Sequence, residues 1–295
     1  MKGDIDVDFG KVLTAMVTPF DINGNLDLAK TSTLVEYLID HGTEGLVVAG
    51  TTGESPTLTS EEKVALWEHV VKVVNGRIPV IAGSGSNNTQ ASIELSKKAE
   101  QTGVDAIMLV APYYNKPNQR GLYEHFKAIA KSITKPVMLY NVPGRTAVRM
   151  NADTVIKLSE VDNIVSVKEA TGDLDAVAEI VEKTDDSFSL YSGDDNLTLP
   201  IYAVGGNGIV SVSAHVVGEE LGEMLRLFDA GKGKEAAAIH RRILPVLKGM
   251  FSAPSPTPIK TALQMKGLDT GGVRLPLVPL TSEERHTIQQ LVDTI

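Results

Sequence analysis

In the stretch NIVSVKEATGD, residues 163–173, apolar Ile164, Val165 and Val167 lead straight into Lys168. An ammonium at the end of a buried run costs several kcal/mol unless it finds partners or gives up its proton. Desolvation lowers a lysine pKa and leaves a nucleophilic fraction near neutrality. Lys168 therefore reads as an amine able to form a Schiff base with a carbonyl compound. The plainer reading is a lysine that emerges at a strand end and pairs with Glu169.

Other residues could share that chemistry. In GTTGES, Thr51 and Thr52 precede Gly53 at a turn, where backbone N–H groups and hydroxyls can cradle a carboxylate. The turn is not a nucleotide-binding loop, because the G-x-x-x-x-G-K-[ST] spacing is missing; GGNG and GSGS do not complete G-x-G-x-x-G either. Tyr140, closing VMLYN, is a phenol that can give and take a proton. Arg145 in NVPGRT can clamp a carboxylate through two parallel hydrogen bonds. Taken one at a time, each also fits an ordinary turn, core or surface residue.

The elements that must bring these groups together show in the pattern of apolar runs. There are eight: KVLTAMVTPF, EGLVVAGTTGES, IPVIAGSGS, DAIMLVAPYY, KPVMLYNVPG, NIVSVKEATG, FSLYSGDD and GNGIVSVSA. Near-continuous apolar strands belong to parallel sheets covered on both faces. Helical patterns alternate with them. In LDLAKTSTLVEYLIDHG, Leu34, Val35, Leu38 and Ile39 share a face behind Asp27 as N-cap. In TSEEKVALWEHVVKVVNG, Thr59 and Glu62 have capping-box spacing and Gly76 is the stop. In TQASIELSKKAEQTG, Ile93 and Leu95 are among the apolar positions and Gly103 ends the helix.

Eight such units predict an α/β fold, a closed (β/α)8 TIM barrel, with the open doubly wound sheet as the structural rival. Function then gathers at the C-terminal strand ends, where GTTGES, the YY pair, YNVPGR, Lys168 and SGDD lie. Beyond Ala214 the strand rhythm stops, and helices follow, the last opening on a Thr281–Glu284 capping box. The expected organisation is a catalytic barrel over 1–225 and a C-terminal helical extension over 226–295, packed on the barrel because no flexible linker separates them.

Composition narrows the class of activity. The chain has 295 residues, 42% hydrophobic and 22% charged, with net charge −9 and no cysteine. That charge, with no basic block, argues against nucleic acid. The missing cysteines exclude disulfides, thiolate catalysis and cysteine-bound metal. The start, MKGDIDVDFG, does not read as a secretory signal, and no apolar run is long enough to span a bilayer. A cytoplasmic location is expected.

Taken together, GTTGES, APYYNKP, YNVPGRT, VKEATGD, SGDD and GGNGIVSV resemble the dihydrodipicolinate synthase family, within the class I pyruvate-dependent aldolases, from about residue 10 to the C-terminus. The resemblance implies condensation of pyruvate with L-aspartate 4-semialdehyde, on the way to diaminopimelate and lysine, with no metal or organic cofactor. By motif, Lys168 matches the Schiff-base lysine, Tyr140 the proton-relay tyrosine, and Thr51 the threonine linking it to a second tyrosine. Tyr114 matches that second tyrosine, which in the family comes from the neighbouring subunit of a tight dimer. Thr52 matches a pyruvate-carboxylate contact, Arg145 the arginine receiving the semialdehyde carboxylate, and Gly193 and Ile209 backbone positions lining the pocket.

The resemblance also implies self-association as a homodimer or a homotetramer made of two dimers. Two alternatives stand beside it. One is a sister lyase acting on N-acetylneuraminate or a keto-deoxy sugar acid; the other is a non-catalytic barrel that binds a small carboxylate as a regulator. One departure stands out. Family members inhibited by lysine hold it with histidine, asparagine, glutamate and tyrosine, and here Ala91, Ser60 and Lys63 replace the glutamate and both histidines, while Asn87 and Tyr113 remain. Weak or absent inhibition by lysine is expected.

Overall fold

A computed structural model describes residues 7–295; the first six residues of the segment read as lacking a secretory signal lie outside it. Each apolar run forms a strand: β1 Val12–Ala15, β2 Gly45–Val48, β3 Val80–Gly83, β4 Ala106–Val110, β5 Val137–Asn141, β6 Ile164–Glu169, β7 Ser189–Ser192 and β8 Gly208–Ser211. All neighbours are parallel, and β8 pairs with β1 through Val12 with Ile209 and Thr14 with Ser211, so the sheet closes into a barrel. The open-sheet alternative is thereby excluded.

The strands are short and buried because both faces are covered. Inside the barrel Leu13, Val47, Ile81, Met108, Met138 and Val210 pack together. Outside, a larger apolar layer joins strand residues such as Leu46, Ile107 and Val167 to the helices. Side chains alternate between these layers along each strand.

β6 departs from simple alternation. Its pairing with β5 runs Val137 to Ile164 and then Met138 to Ser166, so β6 carries one extra residue. Such a bulge shifts the phase of every later side chain. Ile164 and Val167 both lie in the outer layer, three residues apart, and Lys168 is turned into the lumen.

The helix signals hold with two adjustments. Asp27 caps Leu28–Asp40 by accepting from the N–H of Lys30, and both capping boxes, Thr59–Glu62 and Thr281–Glu284, are formed. Helix Ser60–Val74 ends with Asn75 entering the left-handed region ahead of Gly76, at φ of 48° and 74°. In Thr89–Gln101 the buried face is Ser92, Ser96 and Ala99, with Ile93 and Leu95 at its margin. Small residues let this helix sit close to the sheet, where the hydroxyls of Ser84 and Ser96 bond at 2.8 Å.

The C-terminal extension consists of helices Gly233–Gly249, Thr257–Met265 and Ser282–Val292, packed on Ala214–Asp229 and on one another. Helix Ala214–Asp229 itself runs across the 225/226 division expected from sequence. Among the described residues no helix is long and apolar enough to cross a membrane.

Closure of the barrel leaves no room at one point. A Cβ on Gly208 would stand 2.1 Å from the carbonyl oxygen of Lys11, beside the bond from Ile209 N–H to that same oxygen at 2.8 Å. Gly208→Ala should therefore destabilise the protein by at least about 1–3 kcal/mol, read as a lowered thermal midpoint.

Candidate active site

β5 and β6 carry the two central groups. Tyr140 and Lys168 are direct partners in register, and the lysine nitrogen stands 4.3 Å from the centre of the phenol ring. The residues after them face the other way. Asn141 Nδ2 donates to Glu169 Oε2 and to the carbonyl of Met150, each at 2.9 Å, and Glu169 Oε1 accepts from Thr171 N–H at 2.8 Å. Glu169 is thus committed to its own network outside the lumen, and the plain pairing of Lys168 with Glu169 does not form.

The lysine lies in a dry environment. Burial pushes its pKa down to about 8; the carboxylates of Asp195 and Asp194 pull it back up, and Arg145 adds to the lowering. Tyr140 moves the opposite way, to about 12, through burial, with Arg145 and the Thr51 hydroxyl moderating the rise. Near neutral pH the phenol therefore keeps its proton, while a few per cent or more of the amine is free base. This pairing of an acid and a nucleophile suits addition to a carbonyl followed by loss of water.

Beside Tyr140 opens a cavity of about 320 Å³, with Thr51, Tyr140, Val142 and Arg145 on its wall together with Tyr113 and Lys63; Lys168 itself is not on that wall. Two cations and no acid line it, so it favours anions. Arg145 reaches the wall from the short helix Pro143–Thr146 just past β5.

The remaining expected residues fall into two groups. Thr52, Gly193 and Ile209 are close to the barrel top but off the cavity wall. Thr52 and Ile209 are buried, and Gly193 donates its N–H to the Glu169 carbonyl at 2.7 Å. A Cβ on Gly193 would stand 2.7 Å from Ala170 Cβ and 3.2 Å from Lys168 Cε, so only glycine fits there beside the lysine stem. Tyr114 stands apart: it is 89% exposed, with φ of 73°, and does not line the cavity of its own chain.

Two residues whose charges act on Lys168 escaped assignment from sequence. Asp195 is buried, accepts from the N–H groups of Ser213 at 2.8 Å and Val212 at 3.3 Å, and acts on Lys168 through its charge. Asp194 beside it acts on the same amine. The signal was present, since SGDD places an acidic pair just past β7. Among the described residues no group of three or more histidine, aspartate or glutamate side chains is arranged to hold a metal ion.

The family model of the dihydrodipicolinate synthetase family matches residues 8–295. The chain belongs to that family. A curated member from Halalkalibacterium halodurans, 4-hydroxy-tetrahydrodipicolinate synthase 2, is 59% identical and covers 98% of this chain and 99% of its own. The crystal structure of a dihydrodipicolinate synthase from Bacillus anthracis is 64% identical, with TM-score 0.97 over 98% of this chain and 99% of that one. A family structure from Cyanidioschyzon merolae, described with lysine bound, is 44% identical, with TM-score 0.95 over 97% and 98% of the two chains.

The depressed lysine pKa has a direct readout. Only the uncharged amine adds to a ketone, so borohydride trapping of a keto acid on Lys168 should rise with pH through a midpoint near 8, not near the ordinary lysine value of 10.5. Mass mapping of the reduced peptide across pH 6–10 checks this; a yield still climbing steeply between pH 9 and 10 would contradict it.

Proposed function

We propose that this protein is a 4-hydroxy-tetrahydrodipicolinate synthase, condensing pyruvate with L-aspartate 4-semialdehyde on the route to diaminopimelate and lysine. The observation that carries the reading is the buried amine of Lys168 held against the phenol of Tyr140, in a chain of this family.

In the proposed cycle, neutral Lys168 attacks the pyruvate ketone carbon. The resulting carbinolamine loses water, with a proton supplied to the departing oxygen, and leaves an iminium. Its positive charge acidifies the methyl group, and loss of a methyl proton gives an enamine. The enamine carbon bonds to the aldehyde carbon of the second substrate, whose oxygen takes up a proton. The amine of that substrate then adds to the iminium carbon and expels Lys168, closing the ring.

The chain's groups suit these steps. Tyr140 is protonated near neutral pH, its ring lies 4.3 Å from the amine, and Thr51 interacts with its hydroxyl. Thr52 and the N–H groups of Thr51 to Gly53 would meet the pyruvate carboxylate, because the N–H groups of Glu54 and Ser55 are used within the turn on the carbonyls of Thr51 and Gly50. Arg145 on the cavity wall would receive the carboxylate of the semialdehyde. Gly193 and Ile209 would complete the pocket floor. Asp194 and Asp195 favour the cationic iminium over the neutral amine.

The exposure of Tyr114 supports its donation to the site of a second copy of this chain, in a homodimer or a pair of dimers. The family's lack of need for a metal or organic cofactor, and a cytoplasmic location, belong to the same reading. A sister sugar-acid lyase is less well supported, because a polyol substrate has no use for Arg145 at the mouth.

Two measurements test the reading. Turnover with pyruvate should be supported by aspartate semialdehyde and not by N-acetylmannosamine, and Tyr140→Phe should lower kcat by about 10²–10⁴-fold. Equal or better turnover with the sugar would reverse the assignment. Lysine gives the second. Lys63 and Tyr113 line the cavity, Asn87 Nδ2 donates to the Tyr113 carbonyl at 3.1 Å, and Ala91 supplies no carboxylate for an ammonium. A titration with micromolar lysine should leave the rate nearly unchanged; strong inhibition would refute the expectation.

A further inference from the structure

The turn that carries Thr51 and Thr52 is gripped from a distance. Glu54, three residues past Thr51, is buried and holds left-handed backbone at φ 55°, an unfavourable geometry for a residue with a Cβ. Its carboxylate meets two partners from the C-terminal extension. Lys260 Nζ lies 3.1 Å from Oε1, and the backbone N–H of Arg274 donates to Oε2 at 2.9 Å.

Neither partner is free to drift. Lys260 also donates to the carbonyl of Gly272 at 2.6 Å and stands 4.4 Å from the centre of the Phe20 ring. Arg274 stacks on that ring at 4.3 Å and donates to the carbonyls of Thr57 at 2.7 Å and Gly24 at 2.8 Å. It also binds Glu62, the capping-box acid of the next helix, at 2.9 Å. The turn is thus held at Glu54 and Thr57 from one side. On the other, Thr18 Oγ1 donates to the Gly53 carbonyl at 2.7 Å.

We propose that the buried Glu54–Lys260–Arg274 network is a positioning device, through which the C-terminal extension sets Thr51 and Thr52 for pyruvate capture. The inference rests on the reading of the site given above. A buried ion pair is poor evidence for stability, since a well-packed apolar pair often serves as well, but it is specific in geometry. Here that geometry acts on the turn whose hydroxyls and N–H groups would meet the pyruvate carboxylate in the proposed reading. Lys260 touches nothing that reacts, so its role is exercised through Glu54.

The test uses the full-length protein and borohydride trapping of pyruvate on Lys168 across a range of pyruvate concentrations. The variants are Lys260→Met, Glu54→Gln and Lys260→Arg. With folding verified by circular dichroism, Lys260→Met and Glu54→Gln should raise the half-saturating pyruvate concentration on the order of tenfold or more, as expected when a substrate-positioning group is displaced by an ångström. Lys260→Arg should recover most of the loss. A merely structural role would lower the amount of active protein and leave the half-saturating concentration where it was. An unchanged value in both variants would overturn the inference. Should Lys260→Met not fold, the near-isosteric Glu54→Gln decides alone. If the unaltered protein fails to trap pyruvate at all, it is the reading of the site that falls.

Discussion

The active site depends on keeping one lysine amine out of water. Lys168 sits in the lumen of a closed barrel, and burial is the largest influence on its proton affinity. Neighbouring features serve that condition. Gly193 leaves space for the stem, and Glu169, the acid next in sequence, is occupied by Asn141 and Thr171. Asp195 and Asp194 limit the depression, and in the proposed cycle their charge would favour the iminium. A completely apolar pocket would make a good nucleophile and a poor iminium; the acidic pair sets the compromise.

Much of this could be read from the chain alone. Eight apolar runs separated by capped helices specify a closed barrel because continuous hydrophobicity has few other uses in a chain of this length. Lys168, Tyr140, Thr51 and Arg145 were legible because polar groups at strand ends are conspicuous after apolar residues. What remained hidden depends on relations between strands. Asp195 was visible within SGDD, but its partners, the N–H groups of Val212 and Ser213, lie past another strand. The small-residue face of Thr89–Gln101 was hidden for a similar reason, since Ser92 and Ser96 give no hydrophobic signal. Tyr114 was assigned by resemblance, and nothing local to it indicates that it should point away from its own cavity.

The charges of the cavity and of the clamp illustrate two uses of cations. Lys63 and Arg145 line an open cavity with no acid beside them on its wall, so their fields reach any anion that enters. Lys260 and Arg274 lie on an aromatic ring with carboxylates and carbonyls around them, and their charge is spent on holding backbone. The helices beyond Asp229 therefore do more than cover apolar surface, because one of them and the loop behind it reach the turn over the barrel mouth.

The extra residue in β6 makes the inward direction of Lys168 a matter of counting. Strand parity is all-or-none: a strand of the same length that ran flat from Ile164 to Lys168, with no residue bulged out, would keep its composition and its pairing at Ile164. Its ammonium would nonetheless emerge among the aliphatic side chains beneath the surrounding helices, and Val167 would take its place beside the phenol. Deleting the bulged residue would instead leave Lys168 opposite Tyr140, so it is the bulge and the count of residues together that aim this nitrogen inward.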